Sequence, residues 1–222
     1  MEESIHKLIE GFRSFHNTWF AGDSELFDKL RHGQHPRACV ISCSDSRVDP
    51  AILLDTDPGD LFVIRNVANL VPPYEPDTRH HGVSAALEYA VTELGIGHLI
   101  LLGHSDCGGI KALMRRSAEE PAGQFLDPWL DLAEPAKLAV NASMTESPET
   151  TRCRACEEAS LILGLENLLT FPWVRERTGT GSLTLHAWYF HMPSGQLFRF
   201  DRGRNGFFRL DNNLLHPTGD QE

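Results

Sequence analysis

Two short stretches of this sequence concentrate side chains that do chemistry: Cys43-Ser44-Asp45-Ser46-Arg47 and His104-Ser105-Asp106-Cys107-Gly108-Gly109. Each follows directly on an apolar, β-rich run, ACVIS and HLILLG. If the two runs are neighbouring parallel strands, Cys43, His104 and Cys107 converge with two thiolates and one imidazole. A Cys2His set with one position left open is a catalytic zinc environment, whereas structural zinc is normally closed by four protein ligands. Asp45 is the nearest carboxylate to the open position, and Arg47 is its natural partner. A carboxylate there either ligates the metal or accepts a hydrogen bond from a bound hydroxide, and an arginine fork favours the second role. Such a site generates a nucleophile from water near neutral pH. A lone H-x-x-C would mean little, since a cysteine at a strand end often serves as a small hydrophobe. C-x-D-x-R joined to H-x-x-C-G-G, each at a strand end, is far more specific. The glycine-rich turn lacks both the lysine of a phosphate-binding loop and the spacing of a dinucleotide fingerprint.

The elements that must position these residues read as an α/β fold. Ala38 to Ser42, Leu61 to Asn66 and His98 to His104 read as buried parallel strands, alternating with amphipathic helices. Open sheets of this kind place their sites at the carboxyl ends of strands. Val83, Ala86, Leu87, Ala90, Val91 and Leu94 form a crossover helix, with Gly95 at its left-handed cap. Further helices are expected from Gly109 to Arg116, from an Asp127-Pro128 start to a break near Pro135, and from about Glu149 to Leu169. The run from Ser182 to His191, a Pro193-Ser194-Gly195 turn, and Gln196 to Asp201 read as a hairpin extending one sheet edge. Before the first strand, Ile5, Leu8, Ile9, Phe12, Phe15 and Trp19 follow helical spacing, and Asp23/Ser24 cap a short helix carrying Leu26, Phe27 and Leu30. The expectation is one domain over 1–222: an N-terminal helical arm (1–35), then an α/β core (36–222). Its mainly parallel central sheet is flanked by helices and edged by antiparallel C-terminal strands.

Composition narrows the classes. A net charge of −11 over 222 residues, with a pI near 5.4, argues against nucleic-acid or anionic-lipid partners. With 41% hydrophobic and 23% charged residues the chain is that of an ordinary globular protein. A core of this size needs no metal merely to hold it together. Charges at Glu2, Glu3, Lys7, Glu10 and Arg13 leave no signal-peptide core, and the longest uncharged apolar run is too short to span a membrane. Five cysteines fit reduced thiols in the cytoplasm.

The segments CSDSRVDP, RNVANLVPPY (Arg65 to Tyr74), EYAVTELG (Glu88 to Gly95) and GHSDCGGI closely resemble the β-class carbonic anhydrases, and the similarity runs through most of the chain. The resemblance implies one zinc ion per chain on Cys43, His104 and Cys107, with Asp45 and Arg47 as catalytic dyad. It implies reversible hydration of carbon dioxide to bicarbonate and a proton by zinc-bound hydroxide, and a homodimer or dimer-based larger assembly whose sites lie between subunits. Gln34 looks like the glutamine with which the plant-type branch hydrogen-bonds bicarbonate. Phe62 and Tyr89 look like its aromatic pocket residues, at least one supplied by the other subunit, and the Gly108 amide looks like a further donor to substrate. Another branch keeps a noncatalytic bicarbonate pocket with a tryptophan three residues before the first cysteine; here that residue is Val40, although Arg65 matches the pocket's arginine. Two alternatives stand beside hydration: hydrolysis of a carbon dioxide analogue such as carbon disulfide, and a catalytically silent zinc-binding sensor subunit. Two thiolates make zinc a weaker Lewis acid than three imidazoles do, so activity is expected to rise through the alkaline range; the resemblance of Gln34 and Val40 to the plant-type branch implies Asp45 held on Arg47 rather than on the metal.

Cys153 and Cys156 form a lone C-x-x-C inside a helical pattern, read as helix packing. His80 and His81 fit a capping turn better than a proton relay. His98, His186 and His191 fall on strand patterns, and Arg202 and Arg204 show no reason beyond solvation.

Overall fold

The computed structural model describes residues 2–21, 25–117 and 121–210. The described residues fall into two compact units, divided between His35 and Pro36. In the first, α1 (Glu2–Trp19) is followed by α2 (Glu25–Leu30). Phe27 of α2 packs on Phe20, ring centroids 4.4 Å apart, and on Phe15 and Trp19. The apolar stripe predicted from spacing is present and exposed, Leu8 and Phe12 being 69% and 63% accessible. The expected cap at Asp23/Ser24 lies outside the described residues.

The second unit is built on a six-stranded sheet in the order β2-β1-β3-β4-β5-β6. β1 (Ala38–Cys43), β2 (Leu61–Asn66), β3 (His98–His104) and β4 (Thr184–His191) are parallel; β5 (Gln196–Asp201) and β6 (Gly206–Arg209) complete it antiparallel. β1 and β3 are buried along nearly their whole length, which is why their sequences are continuously apolar. β2 is different: as an edge strand it buries only Ile64 and exposes Val63 and Arg65, correcting the expectation of a buried strand.

Cys39, Ile41, Leu99, Leu101, Ala187 and Tyr189 pack with Leu87, Ala90, Val91, Leu161, Leu165, Leu168, Phe171 and Val174 in one cluster. Half of these partners come from α4 (Gly82–Glu88) and α8 (Glu149–Leu168). Val40, Ile100 and Leu102, pointing the other way, pack with Leu53 and Leu54 at the end of α3 (Pro50–Leu53) and with Trp188 and Leu197. α4 widens to π geometry over Tyr89–Glu93 and ends at Gly95, φ +65°, the left-handed cap read from sequence. α5 (Gly108–Arg115) follows β3.

α6 (Leu126–Leu130) starts one residue before its expected cap: Asp127 lies inside it, and its carboxylate accepts from the Ala122 and Gly123 amides. Pro135 opens α7 (Glu134–Ser143) after a 3-10 turn, a first-turn position where its missing N–H costs nothing. α9 (Pro172–Gly179) and β6 were not anticipated; Pro172 again occupies a first turn. Arg204 is also better employed than expected. It pairs with Asp201 and lies 3.8 Å from the Phe208 ring centroid, stapling the turn between β5 and β6. No helix among the described residues is long and apolar enough to cross a membrane.

Candidate metal centre

Strand register builds the site. Ser42 pairs with Leu102, so Cys43 at the end of β1 stands level with Gly103, beside His104 at the end of β3. Cys107 follows three residues later as the residue that precedes α5. The ligand atoms of Cys43, His104 and Cys107 all lie within 4.8 Å of one another, and all three residues are buried. The two sulfurs are 3.9 Å apart. These are the three residues expected to converge from the sequence.

Hydrogen bonds aim the donors. His104 Nδ1 lies 2.9 Å from the Ser105 carbonyl, which fixes the N–H there and leaves the Nε2 lone pair free. Nε2 is buried and has no hydrogen-bond partner. An orphaned imidazole nitrogen facing two thiols is the donor set that suits zinc in both softness and number. The Cys43 thiol is pulled well below its usual range, first by the hydrogen bond from Cys107 and then, against burial, by His104 and the Asp45 and Ala68 amides. Cys107 is pushed the opposite way by the Cys43 thiolate and by burial, while the Gly109 and Ile110 amides at the start of α5 favour its charge. Burial opposes a proton on His104, but the Cys43 thiolate and Ser105 carbonyl outweigh it and raise its pKa.

The segment opposite Cys43 explains the run RNVAN. Ala68 and Asn69 take left-handed conformations, φ +63° and +49°, which turn the Ala68 amide toward the Cys43 sulfur. Asn66 brackets this turn by exchanging two 2.9 Å hydrogen bonds with Leu70, and Trp129 Nε1 donates to the Val67 carbonyl. Gly109 is needed because a Cβ there would stand 2.9 Å from both Ala68 Cβ and Val67 Cγ1. A Cβ on Gly108 would meet nothing within 4 Å.

Asp45 and Arg47 are joined as the sequence suggested. Arg47 Nε and Nη2 donate to the two carboxylate oxygens at 2.9 and 2.7 Å, and Nη2 also reaches the Asp106 carbonyl. This fork holds the Asp45 carboxyl well below the usual carboxylate range. Asp45 Oδ2 lies 4.0 Å from His104 Nε2, at the mouth of the cluster. Arg65 is fully engaged, donating to the Cys43 and Asp45 carbonyls and to Asp49. It braces the loop that bears Cys43 and Asp45.

Phe62 and Tyr89 stand beside each other, ring centroids 6.0 Å apart, but not beside the cluster. Phe62 is level with Cys39, four residues along the strand from Cys43, or about 13 Å. Gln34 belongs to the N-terminal unit. His81 precedes α4 and its Nε2 meets Asp77 at 2.6 Å, so it serves a turn. Cys153 and Cys156 are buried in α8. His98 and His186 are mutual neighbours at 3.3 Å. One buried carboxylate went unnoticed in the sequence: Glu157 of α8 accepts from the Cys107 amide at 2.9 Å and from the Tyr189 hydroxyl at 2.8 Å.

The carbonic anhydrase family model matches residues 38–197, which include every element just described around the cluster. The chain belongs to the carbonic anhydrase family. Its relatives place it in the β class. It is 37% identical to a carbonic anhydrase of Synechocystis sp. over 96% of this chain and 78% of that protein. It is 39% identical to the chloroplastic β carbonic anhydrase 5 of Arabidopsis thaliana, over 83% of this chain and 60% of that one. Among solved structures, the β-carbonic anhydrase CcaA superposes with a TM-score of 0.88 at 33% identity, covering 95% of this chain and 93% of its own. A tetrameric β-carbonic anhydrase of Sordaria macrospora superposes at 0.78 with 29% identity, covering 89% and 96%. The chain is accordingly an enzyme, a carbonate dehydratase.

Proposed function

We propose that this carbonic anhydrase interconverts carbon dioxide and bicarbonate at one zinc ion held by Cys43, His104 and Cys107. The observation that carries the proposal is the buried, unpartnered His104 Nε2 within 4.8 Å of two cysteine sulfurs. Zinc, when bound, supplies the Lewis acidity that makes water a nucleophile near neutral pH. The protein does the rest. Ser105 fixes the His104 tautomer. The Arg47 fork keeps Asp45 ionised and turned toward the mouth of the cluster, so that Asp45 Oδ2 accepts a hydrogen bond from the attacking water-derived group and orients its lone pair. The Gly108 amide, at the start of α5, orients bicarbonate, and the Gln34 amide is a second candidate donor to it.

Carbon dioxide is nearly apolar and needs a dry wall, for which Phe62 and Tyr89 are the candidates. Because Phe62 lies about 13 Å along the strand from the level of Cys43 in its own chain and Tyr89 packs beside Phe62, the wall at any one site is best supplied by a second copy. We therefore propose a homodimer or dimer-based assembly, in which 1–35 is an arm and 36–222 the core of one functional domain. The free thiol state of all five cysteines fits a reducing compartment, taken here as the cytoplasm. Stopped-flow carbon dioxide hydration on metal-analysed protein is the test. Turnover in proportion to zinc content is expected; zinc-loaded protein that does not hydrate carbon dioxide overturns the proposal.

A further inference from the structure

Glu157 carries a carboxylate that is 4% exposed and plays no part in the reaction as described. Its two oxygens are divided: Oε1 takes the Cys107 N–H, and Oε2 takes the O–H of Tyr189, itself fully buried on β4. A buried carboxylate is costly unless both oxygens are bonded, so its presence asks for a reason.

The helix that bears it cannot slide. A Cβ on Gly103 of β3 would fall 2.9 Å from Leu161, and a Cβ on Gly164 would fall 2.7 Å from Leu101, so α8 and β3 interlock on both sides. Leu161 lies one turn beyond Glu157, and Gly103 immediately precedes His104. The same interlock that seats the helix therefore sets Glu157 at the height of the ligands. Tyr189 is anchored there too, since it pairs with Gly103 across β3 and β4.

What Glu157 holds is a left-handed turn. Asp106, between Ser105 and Cys107, has φ +61°, a left-handed conformation that is uncommon outside glycine, though aspartate tolerates it better than most residues. Cys107 has no side-chain cap of its own to settle its backbone at the start of α5.

We propose that Glu157, anchored by Tyr189, is a positioning residue for Cys107: by fixing the Cys107 amide it fixes the direction of the Cys107 sulfur. This rests on Cys107 being a ligand. Partners that orient metal ligands typically change metal affinity by about 10–100-fold when removed.

The test compares Glu157→Ala, Glu157→Gln and Tyr189→Phe as zinc-loaded holoenzymes. The readouts are zinc release to a chelator, the sulfur-to-metal charge-transfer absorption of the cobalt(II)-substituted proteins, and thermal unfolding. Glu157→Ala is expected to release zinc about tenfold or more faster and to shift the cobalt band. Tyr189→Phe should do both to a smaller degree, and Glu157→Gln, which keeps an oxygen for the Cys107 amide, should stay close to wild type. A folded Glu157→Ala with wild-type zinc release and cobalt spectrum overturns the inference. Should that variant fail to fold, Tyr189→Phe decides it by the same two readouts. A wild-type protein whose cobalt form shows no thiolate charge transfer would instead overturn the ligand assignment beneath it.

Discussion

Arg47 grips Asp45 through both carboxylate oxygens, at 2.9 and 2.7 Å, and so holds Asp45 Oδ2 4.0 Å from His104 Nε2. The arginine keeps the carboxylate ionised and beside the Cys43, His104 and Cys107 cluster. At the proposed zinc centre, removing the fork would free Asp45 to move onto the open coordination position. Arg47→Ala is expected to lose about 10–100-fold in turnover, most severely at low pH, where hydroxide competes least well for the metal. Stability should change little, since the Arg47 side chain is half exposed. The pH-rate profile beside a thermal melt checks both; an unchanged profile removes the dyad from the mechanism.

Cys107→Ser should reduce zinc from about one per chain to a small fraction, because two thiolates and one imidazole define the donor set. Metal analysis after dialysis measures it. Full zinc occupancy with full activity would take Cys107 out of the site.

Burial pushes the thiols of Cys39 and Cys156 up to about 12, while the unfolded chain ionises cysteine near 8.5. Between those values the unfolded state has shed protons that the native state still holds, so stability falls as pH rises. The contribution is complete below about pH 8.5 and is lost progressively toward about 12. Urea unfolding at pH 8 and at pH 10.5 should show this decline, and Cys39→Ala and Cys156→Ala should each make it shallower. Parallel declines in variants and wild type would mean that these thiols titrate normally.

The two adjacent glycines should behave oppositely. Gly109→Ala places a methyl group 2.9 Å from Ala68 and Val67 and should cost about 1–3 kcal/mol in chemical unfolding. Gly108→Ala, facing open space, should stay within about 1 kcal/mol of wild type. Any effect it has on KM then reports crowding of the substrate.

The strands and the three cluster residues were legible because each signal is local. β1 and β3 are continuously apolar, and the chemistry begins where each one stops. β2 was misjudged because LFVIRN looks the same in sequence whether a second strand covers it or none does. α9 was missed because PWVRERTG buries only Val174 and so shows no periodic face. Asp127 looked like a cap, since nothing in sequence distinguishes a carboxylate closing a helix from one tying down the preceding loop. Glu157 was invisible for a different reason. Its partners lie 50 and 32 residues away, and in a helix a glutamate beside another glutamate reads as a solvated face.

The interlock of Gly103 with Leu161 and of Gly164 with Leu101 means that the spacing of the donor atoms is inherited from hydrocarbon packing between a helix and a sheet. An engineer wishing to open this centre to a larger ion would do better to recarve that seam, trading leucine for smaller residues, than to exchange the coordinating side chains. Conversely, an added methyl group at either glycine would have to be absorbed by Leu161 or Leu101 before it disturbed the cluster, so the seam couples hydrocarbon packing to donor spacing.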